Sequence, residues 1–228
     1  MQTTILCTLP PQHDEAPRRS AAAWRGIFAA VGIGAGIADW NTVRCVAVKD
    51  LLWLIAGEPG ANDFLMSNLD AIAANVAAVC SAPVPMEVRQ REVAVRAGTD
   101  KLWAYRVPRF VAEKQARDWS EHFEPTLSDA TKEKMARKIE ASLRRELSTW
   151  SRLPEVLDDG APFITISDPG RAIPIQAISS ERSGHGKPVS VLARSHLTFL
   201  SYWRFEGEIF VGPLASLGYG RVLRTAAP

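Results

Sequence analysis

Apolar and polar or β-branched positions alternate over residues 3–9, which predicts a first strand, and Pro10-Pro11 ends it. Residues 12–19 hold a histidine, two acids, a proline and two arginines and read as a polar loop. Ser20 is placed to cap a helix over 21–31, which the glycines at 32, 34 and 36 then break. Residues 43–48 read as a short strand, and 50–56 and 63–79 as helices, the second capped by Asn62 or Asp63. Pro83 and Pro85 mark a boundary. Residues 87–96 and 102–107 alternate around Gly98-Thr99-Asp100 and predict a hairpin. The clearest helical periodicity covers 129–150, with Ser128 as its cap. The C-terminal part is mainly β, with strands expected at 163–167, 172–178, 189–200, 205–211 and 221–223. Asp168-Pro169-Gly170, Ser183-Gly184-His185-Gly186 and the glycines at 212, 218 and 220 separate them.

The helix at 129–150 is amphipathic in an unusual way. At about 100° per residue, Met135, Ile139, Leu143, Leu147 and Trp150 form one face, and Lys134, Arg137, Lys138, Arg144 and Arg145 fall in a single arc opposite. Glu133, Glu140 and Glu146 sit on its flanks. A solvated charged face is the plain reading of such an arc. A phosphate-contacting helix is the functional one, because five bases with no acid among them can follow a nucleic-acid backbone.

With 228 residues the chain suffices for one large domain or two small ones. The net charge of +2 says little, but its distribution does. Residues 1–86 carry five Lys/Arg against seven Asp/Glu, residues 87–152 fifteen against eleven, residues 153–170 no base and four acids, and residues 171–228 seven against three. Positive charge is therefore gathered in the middle and at the C-terminus, where a polyanion would be attracted. Three widely spaced cysteines in apolar surroundings, Cys7, Cys45 and Cys80, argue against a disulfide framework or a zinc site and read as buried hydrophobes. The longest uncharged apolar run, 26–38, is too short to span a bilayer, and no basic-then-apolar leader is visible. A cytoplasmic protein with no membrane partner is expected. The triplet Gly32-Ile33-Gly34-Ala35-Gly36 follows a helix rather than a strand and lacks the offset of a dinucleotide fingerprint. No Walker motif, metal-spaced Cys/His cluster or nucleophile elbow occurs. No cofactor and no metal are expected.

The C-terminal segment reads Gly207-Glu-Ile-Phe-Val-Gly212-Pro-Leu-Ala-Ser-Leu-Gly218-Tyr-Gly220-Arg-Val-Leu-Arg224. Glycines allow positive φ and close backbone approach, and exposed N–H groups flanked by arginine can cradle phosphate. An apolar residue, a glycine, a short spacer, then Gly-aromatic-Gly and an apolar strand at the C-terminus resembles the CRISPR-associated RAMP superfamily. Within it the pattern looks most like the CRISPR RNA-processing endoribonucleases. The motif covers about 15 residues, and a weaker match in strand order covers roughly the last 65.

That resemblance implies an α+β fold of two ferredoxin-like (RRM-like) halves with a helical insertion and a C-terminal glycine-rich loop. Residues 1–86 would form an N-terminal half with extra helices, 87–160 a hairpin and a basic helical finger, and 161–228 a β-rich C-terminal half. A finger at 129–150 makes the type IV processing subunit the closest subtype. The implied activity is metal-independent cleavage of a CRISPR repeat hairpin in a precursor transcript to a 2′,3′-cyclic phosphate, in antiviral defense, with the mature guide RNA retained. Other effector-complex subunits would be partners. Gly212, Gly218, Gly220 and Arg221 carry over as RNA-binding residues, with Lys134, Arg137, Lys138, Arg144 and Arg145 gripping the hairpin. The chain departs from the family pattern in having no histidine in the middle of the first helix and in being more helical over 50–80.

Four histidines are present. His13 lies in a polar loop near Arg18, Arg19 and Arg25, a mixture of titratable base and fixed cations that suits phosphoryl chemistry. These four are the candidate catalytic residues. His185, in a glycine turn beside Arg182 and Lys187, is second; His196, within an apolar strand, reads as structural, and His122 has no supporting context. Of the seven tryptophans, Trp119 or Trp203 is the candidate for stacking on a base. Two rival functions remain: a non-catalytic guide-RNA-binding subunit of a CRISPR effector complex, and an unrelated α/β phosphate-binding protein.

Overall fold

The computed structural model describes residues 1–11, 20–30, 42–98, 101–111, 127–178, 188–215 and 218–225. The chain forms two compact units, Met1–Val93 with Ser216–Gly218, and Ala94–Ala215 with Tyr219–Pro228.

The N-terminal unit runs β1 (Gln2–Thr8), α1 (Ala21–Ala30), β2 (Val43–Val48), β3 (Leu51–Ala56), α2 (Pro59–Ser67), α3 (Leu69–Cys80) and β4 (Met86–Arg91). Its sheet is antiparallel in the order β2-β3-β1-β4. A βαββαβ chain order with this strand order is the ferredoxin-like topology. The core holds Ile5, Cys7, Leu52, Leu54 and Ile55 from the sheet, with Trp24, Phe28, Leu65, Ile72 and Val76 from the helices.

Two expectations fail here. Residues 50–56, read as a helix, are β3. A six-residue apolar run, Leu-Leu-Trp-Leu-Ile-Ala, has no period that separates strand from buried helix. The two-residue turn Lys49-Asp50, with Lys49 at φ 53°, does not have the Asn-Gly chemistry that announces a hairpin, although Val48 faces Leu51 across it. The helix at 63–79 is two helices bent by 66°. At the junction Asn68 Nδ2 donates to Phe64 O at 2.8 Å, taking a carbonyl that a continuous helix would use. The start is at Pro59, and Asn62 does not cap. Its Oδ1 accepts from Thr3 N at 2.7 Å and its Nδ2 donates to Met1 O at 2.8 Å, which fastens the start of β1. Among the described residues no single helix is long and apolar enough to cross a membrane.

The C-terminal unit runs β5 (Ala94–Ala97), β6 (Trp103–Val111), α4 (Asp129–Ser148), α5 (Glu155–Asp158), β7 (Ile164–Asp168), β8 (Arg171–Ile178), β9 (Pro188–Ser201), β10 (Trp203–Glu206) and β11 (Leu223–Thr225). One sheet has the order β11-β6-β9-β7, with β8 also on β9, and β5 pairs β10 as a separate ribbon. Taken as β6, α4, β7–β8, β9 and β11, this is the ferredoxin-like strand order again. The two ferredoxin-like halves expected from the resemblance are therefore present.

The predicted hairpin at 87–107 is absent. β4 pairs β1, β5 pairs β10, and β6 lies between β9 and β11. Alternation identifies a strand but not its partner. The Asp168-Pro169-Gly170 turn does not reverse the chain either. Asp168 faces Thr198 and Arg171 faces Ser195, so β7 and β8 continue along the same neighbour around a bulge. Gly170, at φ +67°, donates its N–H to Asp168 Oδ1 at 2.8 Å, and a Cβ there would lie 2.0 Å from Ser195 O.

Helix α4 begins as predicted, with Thr131 N donating to Ser128 Oγ at 3.2 Å. The expected finger and a crossover helix are told apart by place. Helix α4 joins β6 to β7 of one sheet, where the first crossover helix of a ferredoxin-like half stands. A twenty-residue helix with a basic outer face looks the same in sequence in either place. Only the pairing of the flanking strands distinguishes them.

Candidate nucleic-acid interface

The basic arc of α4 is divided by its surroundings. Lys134, Arg137 and Arg145 are exposed and Lys138 is half-buried. Burial lowers the Lys138 pKa from its ordinary value. Arg137 pairs with Glu133 one turn back. Arg144 points elsewhere: it donates to Leu157 O and Ala161 O, both at 2.6 Å, and its guanidinium lies 4.9 Å from the Phe163 ring centroid. It ties α4 to α5 and the start of β7. Glu140, expected on a flank, is buried, and its Oε1 accepts from Phe163 N at 2.8 Å and Ile164 N at 3.0 Å.

The glycine loop is built as the positive-φ turn its sequence suggested, with Gly212 at +93°, Gly218 at +78° and Gly220 at +76°. What it approaches closely is protein backbone. A Cβ on Gly220 would lie 1.7 Å from Val211 O, and one on Gly212 would lie 2.9 Å from Val111 O. Its amides are largely engaged: Val211 N donates to Gly220 O, Gly220 N to Arg109 O and Gly212 N to Ser142 Oγ, at 2.8–3.1 Å. Arg221 forms a two-pronged ion pair with Glu208, at 2.8 and 3.1 Å, half-shielded from solvent.

Of the candidate catalytic residues, only Arg25 falls among the described ones; His13, Arg18 and Arg19 lie outside them, as do His122 and His185. Arg25 sits half-buried on α1 beside Trp24, whose ring stacks on Phe28 at 6.0 Å. Burial lowers its pKa, and the neighbouring Cys45 pulls in the opposite direction. Cys45, on β2, is itself pushed up to about 12 by burial. A Cβ on Gly218 would lie 2.7 Å from Cys45 O. Arg25 and the middle of the glycine loop thus converge on one residue of β2. His196 has φ +56° within β9, in keeping with a structural role at the bulge. Among the described residues no group of three His, Cys, Asp or Glu is arranged to hold a metal ion.

A second basic cluster was not anticipated. Around Trp103, at the start of β6, lie Lys101 Nζ at 4.9 Å, Arg204 Cζ at 5.4 Å and Arg224 Cζ at 5.5 Å from the ring centroid. Arg96 stands opposite Arg204 on the β5–β10 ribbon, and both reach Glu206, at 2.9 and 2.8 Å. Tyr105 lies on the same strand, its hydroxyl donating to Trp203 O at 3.0 Å and accepting from Phe205 N at 2.9 Å. Burial pushes its pKa up to about 12, against the pull of Arg224 and Arg204. Tyr202, in the turn from β9 to β10, is 60 % exposed, and its carbonyl accepts from Gly98 N at 2.7 Å. The cluster's members come from β5, β6, β10 and β11 and the turns beside them. Alternation could place Trp103 with Tyr105 on one face, but nothing local announced the cations that join them.

Neither a family model nor a curated protein sequence matches the chain. Solved structures do. Csf5, a CRISPR-Cas type IV Cas6 crRNA endonuclease, matches with a TM-score of 0.68 at 16% identity, covering 99% of both chains. A crystal structure of Cas6b matches at 0.56 and 12% identity over 98% of each chain. A Cas6 product complex matches at 0.52 and 13% identity, over 99% of this chain and 100% of that one. In fold, this chain is similar to the Cas6 CRISPR RNA endonucleases, with two ferredoxin-like units and a glycine-rich loop near the C-terminus.

Proposed function

We propose that the protein is a CRISPR RNA-processing endoribonuclease of the type IV kind. On this reading it binds a repeat hairpin, cuts the precursor transcript and keeps the mature guide. The observation that carries this is the end-to-end fold match to a type IV crRNA endonuclease, extending from β1 through the glycine loop to β11. The basic arc of α4 supports it, because Lys134, Lys138 and Arg145 are turned outward or half-outward on a helix whose other face is anchored in the sheet.

Cleavage would follow the chemistry that the family resemblance implies. The 2′-hydroxyl oxygen attacks the adjacent phosphorus and loses its proton to a base, for which His13 is the candidate. The bond from phosphorus to the 5′-oxygen breaks, and that oxygen takes up a proton. The products are a 2′,3′-cyclic phosphate and a 5′-hydroxyl. Arg25, joined by Arg18 and Arg19, would stabilise the charge on the pentavalent phosphorus, since arginine stays charged at any working pH. No metal enters this scheme.

The test is incubation of the protein with a labelled repeat hairpin in excess chelator, followed by end-group analysis. One cut ending in a cyclic phosphate is expected, with Arg25→Ala lowering the rate about a hundredfold and leaving binding within a few-fold. Tight binding without a cut would point to a passive guide-RNA subunit of an effector complex. No binding would refute the reading.

A further inference from the structure

Lys101, Trp103, Arg204 and Arg224 form a cluster that the hairpin-gripping helix and the glycine loop do not include. It carries four cations with Arg96, of which Arg96 and Arg204 share Glu206. Three cations gathered about one indole repel one another, and the ring's negative faces offset only part of that. An anion with several charges at chain spacing relieves the rest. Two donors, Trp103 Nε1 and Arg204 Nε, are buried and have no acceptor. Beside this group stands Tyr202, the most exposed large hydrophobic side chain of the C-terminal unit's described residues, held at the turn by the Gly98–Tyr202 backbone hydrogen bond.

Cations beside an exposed aromatic ring suit an unpaired strand better than a duplex. In a duplex the bases are stacked inside and cannot reach a protein ring. In a single strand the backbone can follow the cations while a base turns onto the tyrosine. We infer that Lys101, Arg204 and Arg224, held about Trp103, bind the phosphates of a single-stranded RNA segment, with Tyr202 stacking on one of its bases. The inference rests on the RNA-processing reading and adds to it a site for the unpaired RNA flanking the hairpin.

The experiment compares a blunt repeat hairpin with the same hairpin bearing a short single-stranded tail, by fluorescence anisotropy over a series of salt concentrations. The wild type should bind the tailed RNA more tightly and with a steeper salt dependence. The double variant Lys101→Ala/Arg224→Ala should lose that gain and flatten the logarithmic salt slope by about 1.4, since each phosphate contact to a single strand contributes about 0.7. Tyr202→Ala should weaken tailed RNA roughly tenfold. Both variants should bind the blunt hairpin as the wild type does, which also shows that they are folded. Arg106→Ala, an exposed cation of the same strand facing away from Trp103 and Tyr105 by strand alternation, should change nothing. Retention of the tail gain in the cluster variants, or equal losses on both RNAs, overturns this site while leaving the hairpin reading intact. A wild type that binds neither RNA overturns the parent reading and this site with it.

Discussion

Glu140 joins the middle of α4 to the first residues of β7, although its charge marks it for the surface. Its carboxylate is buried, and one oxygen accepts the N–H groups of Phe163 and Ile164. Hydrogen bonds to a charged acceptor contribute about 1.5–3 kcal/mol each, and loss of the acceptor leaves buried N–H groups without partners. Glu140→Ala should therefore cost about 3 kcal/mol in denaturant unfolding. Glu140→Gln keeps an acceptor oxygen and should cost less. A cost below about 1 kcal/mol for the alanine variant would show that the two amides find other partners. At this scale the sequence is least informative. The wheel that put Glu140 on a flank was right about its angle and silent about β7, which folds back over that flank. The same holds for Arg221, whose ion pair with Glu208 could not be read from its place after Gly220.

Among elements, α4 shows most clearly what a pattern can and cannot carry. Its length, cap and apolar face were legible because they repeat every turn over twenty residues. Its role as a crossover was not, because that is decided by β6 and β7 finding the same sheet. β3 was misread for the opposite reason: six residues give too few turns for a period to register. The arc of five bases can be divided experimentally. Lys134→Ala, Lys138→Ala and Arg145→Ala together should weaken hairpin binding and lower the salt slope by about two to three. Arg144→Ala, which removes two hydrogen bonds to carbonyls at α5 and beyond, should instead lower thermal stability and leave the salt slope unchanged. A slope unaltered by the triple variant would remove α4 from the RNA surface. The cluster about Trp103 lies beyond any local pattern, since its cations come from separate strands that meet only through β-pairing.

At the scale of the molecule, three buried acids favour the folded state less as the pH becomes alkaline. Burial raises Cys7 and Cys45 from 9.0 to about 12 and Tyr105 from 10.0 to about 12. Each is neutral when protonated, so the folded state holds its protons to higher pH than the unfolded chain does. Stability is thus undisturbed below about pH 9 and falls as the pH climbs from 9 towards 12, because unfolding releases protons that the native state retains. Urea midpoints measured at pH 8, 10 and 11 should decline in that order, and Cys45→Ala should make the decline shallower. A midpoint level through pH 11 would contradict the burial of these groups. Their apolar surroundings were visible in the sequence, as was the absence of a disulfide framework. The pairing of Cys7 with Leu52 and of Cys45 with Leu54, which seats both thiols in one sheet, required the fold.

Gly218 belongs to the N-terminal unit, although it lies far along the chain from the rest of that unit. Its close approach to Cys45 O means that the N-terminal unit is completed by a residue from far along the chain. Without the glycine turn, β2 lacks this close neighbour of Cys45 and Val46. Removing the segment from Gly212 onward should therefore loosen the N-terminal unit as well as the C-terminal one, although no residue of β1–β4 is touched.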